Sequence, residues 1–287
     1  MPVLPIVPEA GAEHDRIIFA SNRSGTMQLY SIEPDGTALR QITTGPERRL
    51  YASVSPDGRR LAYSRLVEEH EVFVSDIDGT DEVNLTPEPG GGVDPVWSPD
   101  GREIAFTTHV LGNADVMIMS ADGSERRLLT HDGDDERSPT WSPDGRRIAY
   151  IVCSGDDECT VMVVDVDGTN ATPFSETNET TIHAATPSWS PDGTRIAYTA
   201  NDDIVVREIG PDTVPDPLAS PPVKLTDSPG VDYFTNWSPD GTRIAFVSER
   251  GGEFDIYVMN ADGTNVLNLT NAPNSVEVLS AGQAWAY

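Results

Sequence analysis

The residues best equipped for chemistry are a dense carboxylate run and a few histidines. His131-Asp132-Gly133-Asp134-Asp135-Glu136 places four carboxylates within six residues. Calcium prefers such oxygen ligands, but the run lacks the spaced ligands and mid-loop glycine of an EF-hand. A hydrated, self-repelling acidic loop is the simpler reading. Asp132, Asp134, Asp135 and Glu136 therefore stand as weak Ca²⁺ candidates, and no other metal or cofactor is expected. His70, His109, His131 and His183 could act as general acids, bases or metal ligands if the fold gathered them. No Gly-x-Ser-x-Gly elbow, phosphate-cradling glycine loop or His-Glu-x-x-His site accompanies them, so no catalytic residue is assigned. Cys153 and Cys159 flank five residues, Ser154 to Glu158. Facing positions of a hairpin can reach the roughly 5.5 Å Cα separation that a disulfide needs, which favours a bond between them and an oxidising compartment.

The balance of charge narrows the partners. With 47 acidic against 19 basic residues, a formal charge of −28 and Lys224 as the sole lysine, the chain should be repelled by nucleic acid and anionic lipid. No stretch approaches the roughly 20 apolar residues of a membrane span. Residues 1–15 read as a flexible arm, with three prolines in Met1 to Pro8 and none of the basic residues that open a signal peptide.

The element that must position all these groups is a repeat. Ser-Pro-Asp-Gly occurs at Ser55, Ser98, Ser142, Ser190 and Ser238, returning every 43 to 48 residues. Pro fixes φ at the second position, Asp tolerates the third and Gly supplies positive φ, so the motif is a tight hairpin turn. Turn-building accounts for Asp57, Asp100, Asp144, Asp192 and Asp240 without any ligand role. Trp97, Trp141, Trp189 and Trp237 precede the last four copies, and an Arg-x-Ile/Leu-Ala-aromatic stretch follows most of them. Two further markers, an aromatic (Phe19, Tyr63, Phe106, Tyr150, Tyr198, Phe246) and an apolar-Thr/Ser pair (from Ile42-Thr43 to Leu269-Thr270), each appear six times.

Short alternating strands with Gly/Pro punctuation and one aromatic per unit predict an all-β, six-bladed propeller of four-stranded antiparallel blades over residues 16–287. The chain enters mid-blade at Arg16, and Trp285 lies 48 residues after Trp237. The C-terminal strand should therefore complete the N-terminal blade and close the ring, leaving no long free edge.

Those motifs resemble the WD-repeat-like propellers of TolB, the periplasmic Tol-Pal component, and of prolyl oligopeptidase-type enzymes. The resemblance spans residues 16 to 287. It implies a docking platform, a peptidase-gating domain or a sugar-processing site, since one fold hosts all three. The α/β domain that precedes the TolB propeller has no counterpart in this sequence.

The antiparallel meander also assigns faces. The Ser-Pro-Asp-Gly turns and the Asp-Gly-Thr/Ser turns between third and fourth strands share one face, called here the turn face. Connections between second and third strands and between blades share the other, the loop face, where function is more often carried. The loop face should hold Arg48, Arg49, His70, Asp94, His109, Asp115, His131, Arg137, His183, Asp232, Arg250 and Asp255, offered as partner-binding candidates. A proline-rich insertion, Gly210 to Val223, interrupts the turn face of the fifth blade. The leading expectation is a monomeric, non-enzymatic, extracytoplasmic propeller that docks a protein or peptide through its loop face and channel mouth. The alternative is a carbohydrate-active or hydrolytic enzyme with its site at the channel.

Overall fold

The computed structural model describes residues 16–154, 158–176, 186–210, 221–280 and 283–286. The 1–15 arm, His183 and most of the proline-rich insertion lie outside these residues.

The strands form six antiparallel sheets. Blade 1 contains β1 (Arg16–Ser21), β2 (Gln28–Ile32) and β3 (Arg40–Gln41). Blade 2 runs β4 (Arg49–Val54), β5 (Arg60–Leu66), β6 (His70–Asp76), β7 (Val83–Asn84). Blade 3 runs β8 (Val93–Trp97), β9 (Glu103–Thr108), β10 (Asp115–Ser120), β11 (Arg127–Leu128). Blade 4 runs β12 (Asp135–Trp141), β13 (Arg147–Ser154), β14 (Glu158–Asp165), β15 (Thr172–Pro173). Blade 5 runs β16 (Ser188–Trp189), β17 (Arg195–Ala200), β18 (Asp203–Glu208), β19 (Val223–Lys224). Blade 6 runs β20 (Asp232–Trp237), β21 (Arg243–Ser248), β22 (Asp255–Asn260), β23 (Leu267–Asn268). Two short strands complete blade 1 on its inner side. These are β24 (Glu277–Val278), pairing Ala20 and Ser21, and β25 (Trp285–Ala286), pairing Ile17 and Arg16. The expected closure is thus present.

The turns are near-copies of one another. In each Ser-Pro-Asp-Gly the Ser Oγ donates to the Asp Oδ1 at 2.6 to 2.8 Å, and the glycine has φ of 69 or 70°. A side chain at that glycine would be strained, which is why the motif ends in Gly. The same Ser Oγ then accepts the backbone N–H five residues on, at 2.9 to 3.0 Å. The residue directly before the Ile/Leu of this stretch also has a structural use, because where it is arginine it stacks on the tryptophan of the next blade. Arg60 lies over Trp97, Arg147 over Trp189, Arg195 over Trp237 and Arg243 over Trp285, with 4.5 to 5.2 Å from guanidinium to ring. Blade 3 has Glu103 at this position and pairs it with Arg127 at 2.7 Å instead.

The fourth-strand Thr/Ser has an equally regular role. Its hydroxyl accepts the third-strand N–H of Leu29, Val72, Val116, Val161, Ile204 and Ile256 at 2.8 to 3.0 Å in all six blades. These outer strands are only two residues long, so the side-chain bond extends a ladder that would otherwise end. Cys153 and Cys159 face each other across the β13–β14 hairpin, with Cα atoms 4.2 Å apart, and form the expected disulfide.

Candidate functional site

The first strand of each blade lines the central channel, and four of these strands carry a β-bulge. Register slips between Leu50 and Ser53, Val93 and Val96, Arg137 and Thr140, and Tyr233 and Asn236. At each slip one non-glycine residue adopts a left-handed conformation: Tyr51 (φ 55°), Asp94 (52°), Ser138 (51°) and Phe234 (56°). Every one of them stands three residues before the Trp/Val that precedes the turn. Bulky residues avoid this region, and bulges re-aim side chains near functional sites.

These four side chains meet in two pairs, each between different blades. The Tyr51 and Phe234 rings come within 6.0 Å although blade 1 separates their blades, and Tyr233 packs against Phe234 at 4.7 Å and edge-on to Phe254 at 5.6 Å. On the other side Ser138 Oγ donates to Asp94 Oδ2 at 3.1 Å, while Asp94 Oδ1 is buried without a hydrogen-bond partner. Burial pushes the Asp94 carboxyl up to about 6, against the Ser138 hydrogen bond and the positive Arg137 nearby. The Tyr51 phenol is raised to about 12 by burial and by the negative Asp94. The channel wall is thus aromatic on one side and acidic on the other.

On the loop face, exposed apolar residues stand on the second-to-third-strand loops of the adjacent blades 2 and 3. Val67, in the loop between β5 and β6, is 51% exposed, and Val110 and Leu111, between β9 and β10, are 49% and 58% exposed. Arg48 and His109 are exposed beside them, and His70 is half-buried. Burial lowers the His70 imidazole, helped by Arg48 and His109, so it is neutral near pH 7.

Several expected partner-binding residues turn out to hold the blades together. Arg49 is buried, with Nε 2.9 Å from Glu82 and an Nη1 contact of 3.3 Å to Gln28 of the previous blade. Arg250 is sandwiched over Phe246 and Tyr257, both at 5.1 Å, and its Nη2 donates to the buried Asp232 at 2.8 Å. Arg23 repeats the arrangement over Phe19 and Tyr30, with Glu277 as its acid at 2.9 Å. Asp255 accepts bonds from Asn268, Thr270 and Ala272. Arg137 is half-buried and pairs with Asp135 at 2.7 Å. None of these is a free anchor. A loop arginine looks the same in sequence whether it meets a partner or its own blade.

The carboxylate run is divided by the fold. Asp132 and Asp134 are exposed, and Asp135 accepts from Ala114 N and Arg137. Glu136 and Asp115 are fully buried. Burial first, then the Asp132 carboxylate, push Glu136 up to about 9, and burial raises Asp115 as well. His131 is exposed next to them. Among the described residues, no three His, Cys, Asp or Glu side chains converge as a ready metal-ligand set.

The turn face holds a recess that the sequence did not suggest. A cavity of about 240 Å³ at that end of the channel is lined by the prolines of the five turns, by Trp141, Trp189, Trp237 and Trp285, and by Val54, Thr140 and Gln283. No ionisable group among the described residues lines it, so these residues offer a shaped apolar surface and no acid or base.

Comparison with known proteins agrees with this architecture. The model of the TolB beta propeller domain matches residues 52–204, and that of the Lipoprotein LpqB beta-propeller domain matches residues 129–284. The chain belongs to the TolB-type β-propeller family. A TolB homologue from Chlorobium luteolum is 32% identical over 102 residues, which cover 36% of this propeller and 23% of that relative. The match thus spans under a quarter of the relative's length. TolB from Acinetobacter baumannii superposes with a TM-score of 0.76 at 18% identity, covering 93% of this chain and 67% of that one. The putative TolB from Agrobacterium tumefaciens gives 0.72 at 21% identity, covering 95% and 92%. For this TolB-type propeller, similarity at that level shows the shared fold. No described helix is long and apolar enough to cross a membrane.

Proposed function

We propose that this TolB-type propeller is an extracytoplasmic docking scaffold that binds a protein or peptide over the loop-face mouth of its channel. The observation that carries the reading is the exposed patch of Val67, Val110 and Leu111 beside Arg48 and His109. Apolar side chains left about half exposed on loops, edged by arginine and histidine, have the composition of an interface core and rim. The strained ring of Tyr51, Asp94, Ser138 and Phe234 supplies a concave centre to that surface. The disulfide, together with the lipoprotein in the name of the matching LpqB model, supports an oxidising location outside the cytoplasm.

The test uses a native partner captured on the immobilised full chain, with affinity measured by calorimetry. Leu111→Asp and Arg48→Glu should each weaken binding at least about tenfold, as loss of a rim or core contact does. Asp144→Asn on the turn face should leave affinity unchanged. Equal losses from both faces, or turnover of a peptide or oligosaccharide abolished by His109→Ala, would sink the docking reading.

A further inference from the structure

At blade seams the loop face repeatedly places a buried ionisable group from a first strand next to the start of the preceding blade's third strand. The group five residues before the Trp/Val is Arg49 in blade 2, Glu136 in blade 4 and Asp232 in blade 6. Its counterpart, fifteen residues before the fourth-strand Thr, is Gln28, Asp115 and Asp203 or Asp255 by position in the blades concerned, the longer fourth-strand connection of blade 5 excepted. At the seam of blades 1 and 2, Arg49 bonds Gln28 and Glu82. At the seam of blades 5 and 6, Asp232 has Arg250 at 2.8 Å and Asp203 has Lys224 at 2.8 Å. Glu277, buried between blades 6 and 1, has Arg23 at 2.9 Å and accepts from Ser21 and Ser275.

The seam of blades 3 and 4 breaks the rule. Asp115 and Glu136 are both 0% exposed, and all four of their carboxylate oxygens are buried without a hydrogen bond of normal geometry. The loop that would carry the arginine in blade 4 is the disulfide hairpin, where Cys153 and Ser154 stand in the place of the Glu249-Arg250 segment of blade 6. No lysine or arginine forms an ion pair with either carboxylate among the described residues. Thr130 and the third carboxylate, Asp132, lie beside Glu136.

We propose that this seam binds a divalent cation of the oxygen-preferring class, Ca²⁺ first, with Asp115 and Glu136 as buried ligands and Asp132 closing the site from solvent. Unpaired buried carboxylates are costly and are compensated by a counter-charge. A side chain from a partner has no route to groups that are fully buried, whereas a small ion does, and Ca²⁺ accepts mixed carboxylate, hydroxyl and water ligation. Asp132 sits on the loop that precedes β12, outside the strand, and can turn inward to complete the set. Asp134 and Asp135, the other acids of the run, take no part, since Asp132 and not Asp134 is the exposed acid that acts on Glu136, and Asp135 is held by Ala114 and Arg137.

The experiment titrates Ca²⁺, Mg²⁺ and Mn²⁺ into chelator-treated full chain at raised salt, which screens attraction to the acidic surface at large. Calorimetry should show one saturable site, and the melting temperature should climb with Ca²⁺ as mass action requires. Glu136→Gln or Asp115→Asn should weaken it at least tenfold, while Asp134→Asn should not. In wild-type protein, Tb³⁺ luminescence sensitised by nearby Tyr150 and displaced by Ca²⁺ gives a reading that needs no variant. The proposal is overturned if no cation saturates a site in the wild-type chain while Glu136→Gln raises stability, because a shared proton then satisfies the pair. It is overturned equally if Glu136→Gln and Asp134→Asn bind alike.

Discussion

The two faces of this propeller are built from the same strands and obey different rules. On the turn face five Ser-Pro-Asp-Gly turns repeat one hydrogen-bond pattern to within 0.2 Å, and arginine-on-tryptophan stacking links four of the blade pairs. On the loop face blades 1 and 6 share an arginine laid over two aromatics and paired with a buried acid, and the other junctions each differ. One junction is held by Arg49 with Gln28, another by Arg250 with Asp232, and a third holds two carboxylates with no lysine or arginine paired to them among the described residues. Repetition on one side fixes the ring closely enough for the other side to carry left-handed aromatics, buried acids and exposed apolar loops.

Removing a turn-face seat should have the largest effect. Trp285→Ala loses a buried indole, its Nε1 bond to the Asn236 carbonyl at 3.2 Å and the stacking of Arg243, and should cost about 3–5 kcal/mol in denaturant melts. A cost no greater than that of an exposed substitution would show that the turn face does not hold the ring.

A smaller effect of opposite sign is expected at the channel. The Asp94 carboxyl titrates at about 6 in the folded chain against an ordinary 3.8. The folded state therefore holds that proton more tightly than the unfolded one. Its contribution is favourable below pH 3.8 and is lost as pH rises through about 6. Asp94→Asn should stabilise the protein by about 2 kcal/mol near pH 8, somewhat under the full two-unit shift because part of the residue is open to solvent. It should also flatten the fall in stability between those two pH values. Identical pH slopes for both proteins, read from urea midpoints, would remove the contrast between the faces at this residue.

The finest test moves a turn-face contact to where it is missing. Arg195→Ala should cost about 1 kcal/mol by leaving Trp237 without its cation, and Glu103→Arg should gain about 0.5 kcal/mol by placing one over Trp141, net of the exposed Arg127 pair it gives up. Thermal melts of both variants check it, and a loss from Glu103→Arg would show that the stacking is not transferable between blades.

The same contrast explains what could be read from the sequence. Turn chemistry is local, because Ser, Pro, Asp and Gly act through their own backbone, so blade number and closure by Trp285 followed from spacing alone. The channel ring is not local. Its positions carry Tyr51, Asp94, Ser138 and Phe234, four residue types with nothing in common except their distance from the next Trp or Val. Only a bulge that the sequence does not announce brings them together. Arg49 and Arg250 misled for a related reason, since an arginine among loop residues gives no sign that an acid from the neighbouring strand will bury it. The acidic run split because β12 begins at Asp135 and turns Glu136 inward, while Asp132 and Asp134 stay exposed on the loop before it.

The closure of blade 1 also bears on how the molecule is made. Ile17 pairs with Trp285 and Ala20 with Val278, so the first strand of the propeller takes its inner partners from its last segment. Blades 2 to 6 are each contiguous hairpins that can assemble as they emerge, whereas the inner edge of β1 remains open until β24 and β25 have been made. Such long-range pairing is intrinsically slow, and an unpaired edge is the surface on which nascent chains associate wrongly. The latch that makes the finished ring resistant to fraying is therefore also the step at which production of the protein is most exposed to misassembly.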